Sequence, residues 1–277
     1  MSSLLSLLRP QFPAYATAAD RLGGWALRLF CIAMLVFLLL PILVIVPLSF
    51  SASSFLAYPM PGWSLQWYEN LFQAPEWGRA AKNSFLVAPA ATLLATVLGT
   101  LAAVGLARVD FPGKGLLMSV LIAPMVVPIV VVGVACYLFF APLGLADSYL
   151  GLIVVHAALG APFVLTTVLA TLQGFNHNLV RASLSLGAGP VETFFRITLP
   201  VIAPGVISGA LFAFATSFDE VVVTLFIAGP EQVTLPRQMF TGIRENISPA
   251  IAAVATLLTI FTTGLMLALE WIRGRRA

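Results

Sequence analysis

The stretch "LVRASLSLGAGPVETFFRITLPVIAPG", Leu179 to Gly205, is neither a plain apolar run nor an ordinary polar loop. Leu179, Ala182 and Leu186 recur at helical spacing, which predicts a short amphipathic helix. Gly187 can supply the left-handed residue that ends it, and Gly189 and Pro190 turn the chain. Pro190 suits the first position of a second helix running toward Arg196, and Thr198 to Pro200 is expected to stop that helix. A rigid helix, turn and helix has the form of a docking element for a soluble partner.

Outward from this stretch the sequence is membrane-like. Of the 277 residues 60% are hydrophobic and 9% charged, and the mean hydropathy is +1.01, values foreign to a water-soluble globule. Crossing about 30 Å of hydrocarbon takes roughly 20 apolar residues in a helix. Six runs qualify: Trp25 to Phe50, Ser84 to Ala107, Leu116 to Phe140, Tyr149 to Leu172, Val201 to Ile227 and Pro249 to Ile272. No segment alternates apolar and polar residues as a barrel strand would. The expected fold is therefore an all-α integral membrane protein with six transmembrane helices. Prolines within the runs, including Pro41, Pro47, Pro124 and Pro128, each remove a backbone donor and predict kinks.

Cations give the orientation, because Lys and Arg near span ends stay preferentially on the cytoplasmic side. Ten lie on one side (Arg9, Arg21, Arg28, Arg108, Lys114, Arg181, Arg196, Arg273, Arg275, Arg276) and four on the other (Arg79, Lys82, Arg237, Arg244). Both termini and the Leu179 to Gly205 stretch are thus expected in the cytoplasm. The net charge of +3 is a topology signal, and no basic stripe or base-stacking motif points to nucleic acid. The first run is much longer than the roughly 7 to 15 apolar residues of a cleavable signal, which predicts an uncleaved anchor. The segment "YPMPGWSLQWYENLF", Tyr58 to Phe72, has the aromatic content of an outer interface. Expected divisions are a cytoplasmic segment at 1–24, the first helix and outer loop at 25–78, a five-helix core at 79–272 and a cytoplasmic tail at 273–277.

The docking stretch also resembles a known motif. Arg181-Ala182-Ser183, three residues, Gly187, nine residues, Ile197, one residue and Leu199-Pro200 follow the spacing of the EAA loop of ABC importer permeases, E-A-A-x3-G-x9-I-x-L-P. The resemblance covers about Arg79 to Trp271 and implies the type I permease architecture. It also implies that the loop is a cytoplasmic coupling helix seated in the ATPase subunit, with Arg181, Ala182, Ser183, Leu186, Gly187 and Ala188 as docking residues. Two positions depart from the pattern: Arg181 replaces the Glu that names it, and Ser183 replaces the second Ala. Either the cognate ATPase carries a compensating acid, or docking rests mainly on shape around Ala182, Leu186 and Gly187.

The family resemblance implies several partners: an ABC ATPase dimer, a second permease subunit, an extracytoplasmic binding protein and the bilayer of a bacterial inner membrane. ATP and Mg would be used by the ATPase, and no cofactor is expected on this chain. The residues agree, since the only Gly-Lys pair, Gly113-Lys114, has Arg108 where a phosphate-binding loop needs its first glycine. An enzyme is not expected: His156 and His177 have no metal-chelating or nucleophile pattern near them and read as packed or interfacial.

Inside the fifth run, "FAFATSFDEVVVTLFIAG" places Asp219 and Glu220 among apolar residues. An acid at mid-membrane costs about 2.5–3.5 kcal/mol on insertion scales, so it is expected to face a bundle interior or a wet cavity. Asp219 lies 18 residues beyond Val201, roughly 27 Å along a helix, and so near the outer face. On a continuous helix Glu220 falls within roughly 20° of Gly209 and Ala213, while Asp219 points about 80° away. Gly205 and Gly209 form a small-xxx-small seam that favours close helix contact. Glu220 is therefore expected at the packed seam and Asp219 toward a cavity.

The stretch from Ser217 to Phe240, and the run Ser248 to Leu257, resemble the spermidine/putrescine branch of the importer family. Ammonium cargo suits carboxylates and aromatic faces, making Asp219, Glu220, Phe218 and Tyr137 the candidate pathway residues. Related permeases carry opines, amino acid derivatives or aminophosphonates, so these remain alternative cargoes. An ion-coupled secondary transporter using the acids, or a non-transporting scaffold, are readings of other classes.

Overall fold

A computed structural model describes Tyr15, residues 17–245 and residues 248–274, with side chains except at 245, 265, 266 and 268–274. The expected cytoplasmic segment before Tyr15, with Arg9, and the tail cations Arg273, Arg275 and Arg276 fall outside the described residues or side chains. Twelve α-helices are described, in two compact units: one takes in the chain up to Leu71 and from Asn246, the other Phe72–Glu245.

In the first unit, α1 (Ala18–Leu48) starts at a capping box. The Asp20 N–H donates to Thr17 Oγ1 at 3.2 Å, and the Thr17 N–H donates to Asp20 Oδ2 at 2.9 Å. No residue of α1 is buried; it is apolar all round, as a helix bathed in lipid must be. The following loop folds back on itself. Ala52 N–H donates to Gly62 O at 3.0 Å, Trp67 Nε1–H donates to Ser51 O at 2.9 Å, and Ser49 Oγ meets Tyr68 OH at 2.7 Å. Tyr68 belongs to α2 (Gln66–Gln73). The C-terminal helix, α12 (Pro249–Gly274), packs on α1.

In the second unit, α3 (Pro75–Arg108), α6 (Tyr149–Gln173) and α9 (Leu199–Phe218) pack pairwise around one core. Ala91, Ala95 and Ala103 of α3 meet Val164, Leu165 and Val168 of α6, and Ile202 and Ala213 of α9. The small-residue seam predicted on α9 is where it meets α6. A Cβ on Gly209 would lie 2.5 Å from Thr167 Oγ1 and 2.7 Å from Val164 Cα, so only glycine permits this approach. Such contact substitutes dispersion and close backbone packing for the hydrophobic drive that lipid does not supply.

Four described helices are long and apolar enough to cross a bilayer: Ala18–Leu48, Pro75–Arg108, Tyr149–Gln173 and the helical stretch Pro190–Phe218. The third of the six expected runs is not one straight helix. It forms α4 (Lys114–Val126) and α5 (Ile129–Phe140), bent by 107° at Val127-Pro128. Pro128 forces the residue before it out of the helical region, and Val127 is accordingly extended, at ψ 135°. Counting the bent pair as one span gives five; the sixth run falls on α12, whose continuously described side chains reach Gly264.

Two further expectations change. The second span begins at Pro75, nine residues before Ser84, with the proline in the first turn where its missing N–H has no cost. The helix opened by α8 (Pro190–Thr193) does not stop at Pro200. A π-turn, Phe194–Thr198, carries it into α9, and the Leu199 N–H donates to Phe194 O five residues back. The wider turn accommodates the proline, which would otherwise clash with the carbonyl four residues before it.

Candidate functional site

The docking stretch forms α7 (Asn178–Ser185), which ends in a Schellman motif. Ala188 N–H donates to Ser183 O at 3.2 Å and Gly187 N–H to Leu184 O at 3.0 Å, satisfying carbonyls that the helix end leaves open. Gly187 sits at φ +90°, where a side chain would strain the backbone. Ser183 Oγ meets Thr193 Oγ1 at 3.0 Å and so ties α7 to α8 across the turn. Thr193 is buried, which makes the tie rigid. The serine that replaces the motif's second alanine therefore has a structural role that its spacing did not reveal.

Of the six expected docking residues, Arg181, Ala182, Leu186 and Gly187 are exposed, and Ser183 and Ala188 are half-buried. Leu186 is 89% exposed, a bare leucine on a turn. Val191 and Phe195, which sequence reasoning did not single out, are also exposed. Their signal was available: two apolar residues on the first turns of a helix that begins outside the apolar run.

The acids lie at the opposite end of the same helical stretch. Pro190–Phe218 has 29 residues, about 44 Å at about 1.5 Å per residue, longer than the hydrocarbon is thick. The helix ends at Phe218, so the expected continuous turn through Glu220 is not formed. Asp219 is the terminal cap, its N–H donating to Ala215 O at 3.1 Å. Glu220 then turns to the next helix, α10 (Val222–Ile227), and Glu220 Oε1 accepts from the Val223 N–H at 2.8 Å. A carboxylate at a helix N-terminus satisfies an open donor and the helix dipole together. Glu220 is therefore held by α10 rather than by the Gly209 seam.

Asp219 is exposed, and its carboxylate makes no hydrogen bond or ion pair with another described residue. Phe218 is buried between Phe85, edge-on at 5.6 Å, and Phe214, stacked at 5.4 Å. It backs the acid and offers little free ring surface. Tyr137, on α5, is partly exposed, and α5 packs against α10.

His156 of α6 braces this break. Its ring is 1% exposed, with Nδ1 2.9 Å from Ser217 Oγ and Nε2 3.1 Å from Thr224 Oγ1. Thr224 Oγ1 is also placed to donate to Glu220 O at 3.0 Å. One buried imidazole thus holds the last turn of α9 and the first turn of α10 on either side of the two acids. The packed histidine expected from sequence is found, while His177 lies exposed with its ring against Phe175.

A second brace at that end uses Asn83. Its Nδ2 donates to Glu231 O and Val233 O, both at 2.8 Å, and its Oδ1 accepts from Tyr149 OH at 2.9 Å. Ser84 Oγ accepts from Leu235 N–H at 2.8 Å, at the start of α11 (Leu235–Glu245). A buried Asn-Ser pair at the head of an apolar run was the only sequence signal for it. Among the described residues no group of three His, Cys, Asp or Glu side chains could hold a metal ion.

An exposed turn is thus joined by one helical stretch to an exposed carboxylate. Residues 95–275 match the family described as binding-protein-dependent transport system inner membrane component. The putrescine transport system permease protein PotI of Escherichia coli strain K12 is 34% identical over 248 residues, 87% of this chain and 88% of that one. The spermidine/putrescine transport system permease protein PotC of Haemophilus influenzae is 31% identical over 237 residues, 86% of this chain and 92% of that one. A crystal structure of a bacterial ABC transporter involved in import of the acidic polysaccharide alginate superposes with TM-score 0.74, over 95% of this chain and 99% of that one. At 12% identity it shows the fold alone. The chain belongs to the family of binding-protein-dependent transport system inner membrane components and is a multi-pass permease.

Proposed function

We propose that this chain is one permease subunit of an ATP-driven importer of polyamine cations, putrescine and spermidine, and that Asp219 meets the cargo. The observation that carries the site is the exposed, unpaired Asp219 carboxylate at the far end of the helix that begins at the docking turn. Two relatives named for putrescine and spermidine/putrescine transport favour polyamines over opines, amino acid derivatives or aminophosphonates.

The chemistry is direct. A primary ammonium brings three donors and a charge to a carboxylate, and its methylene chain and charge suit aromatic faces. Asp219 supplies the charge, Tyr137 an accessible ring, and Phe218 the apolar backing. Glu220 holds the break open through α10 and adds negative potential.

The partners are an ATPase dimer docking at Ala182, Leu186 and Gly187, with Arg181, Ser183 and Ala188 framing the contact, a second permease subunit, and an extracytoplasmic binding protein. The ATPase uses ATP and Mg; this chain has no phosphate-binding loop. Both termini and α7 lie in the cytoplasm, so Asp219 faces the side where the binding protein delivers cargo. Closure of the ATPase moves α7; the Ser183–Thr193 tie passes the motion to α8, and the unbroken helix carries it to Asp219.

The test is uptake of labelled putrescine and spermidine, beside an aminophosphonate, by the assembled importer in liposomes. Polyamine accumulation that requires ATP and the binding protein supports the reading. Uptake driven by an ion gradient without ATP, or of the aminophosphonate alone, contradicts it.

A further inference from the structure

Near the docking turn, the end of α3, the end of α6 and the start of α7 enclose a cleft of about 350 Å³ with an unusual lining. Two guanidiniums, Arg108 and Arg181, and the His177 imidazole border it, and no carboxylate does. The ion pairs among the described residues are Arg79–Glu231, Lys114–Asp110 and Arg196–Glu192, so neither arginine is neutralised by a described acid of the chain. Thr198, 2% exposed, also lines the cleft.

The floor of this cleft is apolar, and an adjoining one of about 400 Å³ shares Ala107, Leu172 and His177 with it. This second cleft runs between α4 and α6 past Met118 and Leu169, away from the docking turn and along helices that cross the membrane. Its one cation, Lys114, is already engaged: Nζ lies 2.8 Å from Asp110 Oδ1, and that bond holds the Asp110 carboxyl below the usual carboxylate range. The charge demand is thus concentrated at Arg108 and Arg181, and the apolar slot lies beside them.

We propose that the joined clefts bind an anionic phospholipid of the leaflet bordering the docking turn. Its phosphate sits between Arg108 and Arg181, and an acyl chain lies in the slot past Met118 and Leu169. Guanidiniums match phosphate oxygens in charge and fork geometry. A carboxylate from a docked subunit answers the two arginines but leaves the slot empty, and inorganic phosphate does the same. Arg181 then holds the lipid at the rim of the docking surface, which gives the departure from the motif's Glu a physical reason. The lipid would couple α7 to the ends of α3 and α6 without any side-chain bridge between them.

The experiment is native mass spectrometry of the full-length protein, purified with the subunits it retains, from nanodiscs of phosphatidylcholine containing a minority of phosphatidylglycerol. The wild type is expected to retain phosphatidylglycerol selectively. Retention should fall roughly fivefold for each guanidinium removed in Arg108→Gln and Arg181→Gln. Met118→Trp, which fills the slot and keeps both arginines, should also lower it, and excess inorganic phosphate should not displace the lipid. Equal retention by wild type and all variants overturns the proposal, as does displacement by inorganic phosphate. Loss of a partner subunit from the arginine variants with lipid retention unchanged also overturns it, assigning the arginines to a protein carboxylate.

Discussion

His156 and Thr224 are joined ring nitrogen to hydroxyl at 3.1 Å, across 68 residues of sequence, inside a unit whose core is mainly apolar. With Ser217 at 2.9 Å on the other ring nitrogen, the imidazole fixes the distance between two helices that the chain itself breaks apart at Asp219.

Replacing His156 by Leu keeps most of the volume but takes from the Ser217 hydroxyl its ring partner and from the Thr224 hydroxyl one of its two partners. Each lost partner costs about 1–3 kcal/mol where the group stays buried. The purified protein should melt at lower temperature and transport more slowly, and Ser217→Ala with Thr224→Val in the Leu variant should recover part of the loss in melting temperature. A His156→Leu protein as stable as the wild type would remove the brace from the account.

At Gly187 the demand is conformational. Nothing lies within 4 Å of where a Cβ would sit, so space is free and only the φ of +90° resists substitution. Gly187→Val should destabilise the turn by about 1–3 kcal/mol and reduce cargo-stimulated ATPase activity of the assembled importer, while Gly187→Asn should lose less. Equal activity for Val and Asn would show that the left-handed turn is unimportant.

Gly209 tests packing. Even Gly209→Ala drives a methyl into Thr167 and Val164, and a loss of about 1–3 kcal/mol is expected from overpacking. Gly105→Ala, on α3 with nothing within 4 Å, is the matched control and should leave thermal stability unchanged or slightly raised. Thermal melting in detergent distinguishes them, and identical curves would contradict the close seam between α6 and α9.

Leu186 should be covered when the docking partner binds. Leu186→Asp places a charge at that contact and is expected to weaken retention of the ATPase subunit by about tenfold or more. Unchanged co-purification on size-exclusion chromatography would place the contact elsewhere.

Much of this architecture was legible because its causes are local. Composition identified the membrane as solvent, the Gly187 and Pro190 spacing identified the turn, and Gly205 with Gly209 marked the close seam. The departures arose where a distant partner decides. Pro128 announced a kink, but its 107° depends on what the following helix packs against, and α5 lies on α10. Pro200 looked like a stop because propensity does not reveal that a π-turn can absorb it. The break after Phe218 carries no glycine or proline; it is held by His156 from 61 and 68 residues away and by Glu220 capping α10. Asp219 is the exposed acid of the pair, although the continuous helix that would separate it from Glu220 ends at Phe218.

The most direct test is ATP-driven uptake of labelled putrescine by the importer carrying Asp219→Asn, with Asp219→Glu and Glu220→Gln alongside, at matched assembly in liposomes. Removing the carboxylate charge from a cation contact is expected to cost about 1.5–3 kcal/mol, a loss in uptake efficiency of roughly tenfold to a hundredfold. Asp219→Glu should retain a substantial fraction, and Glu220→Gln should act mainly through stability of the α10 cap. Wild-type uptake by a fully assembled Asp219→Asn importer would contradict the assignment of Asp219 to the cation pathway.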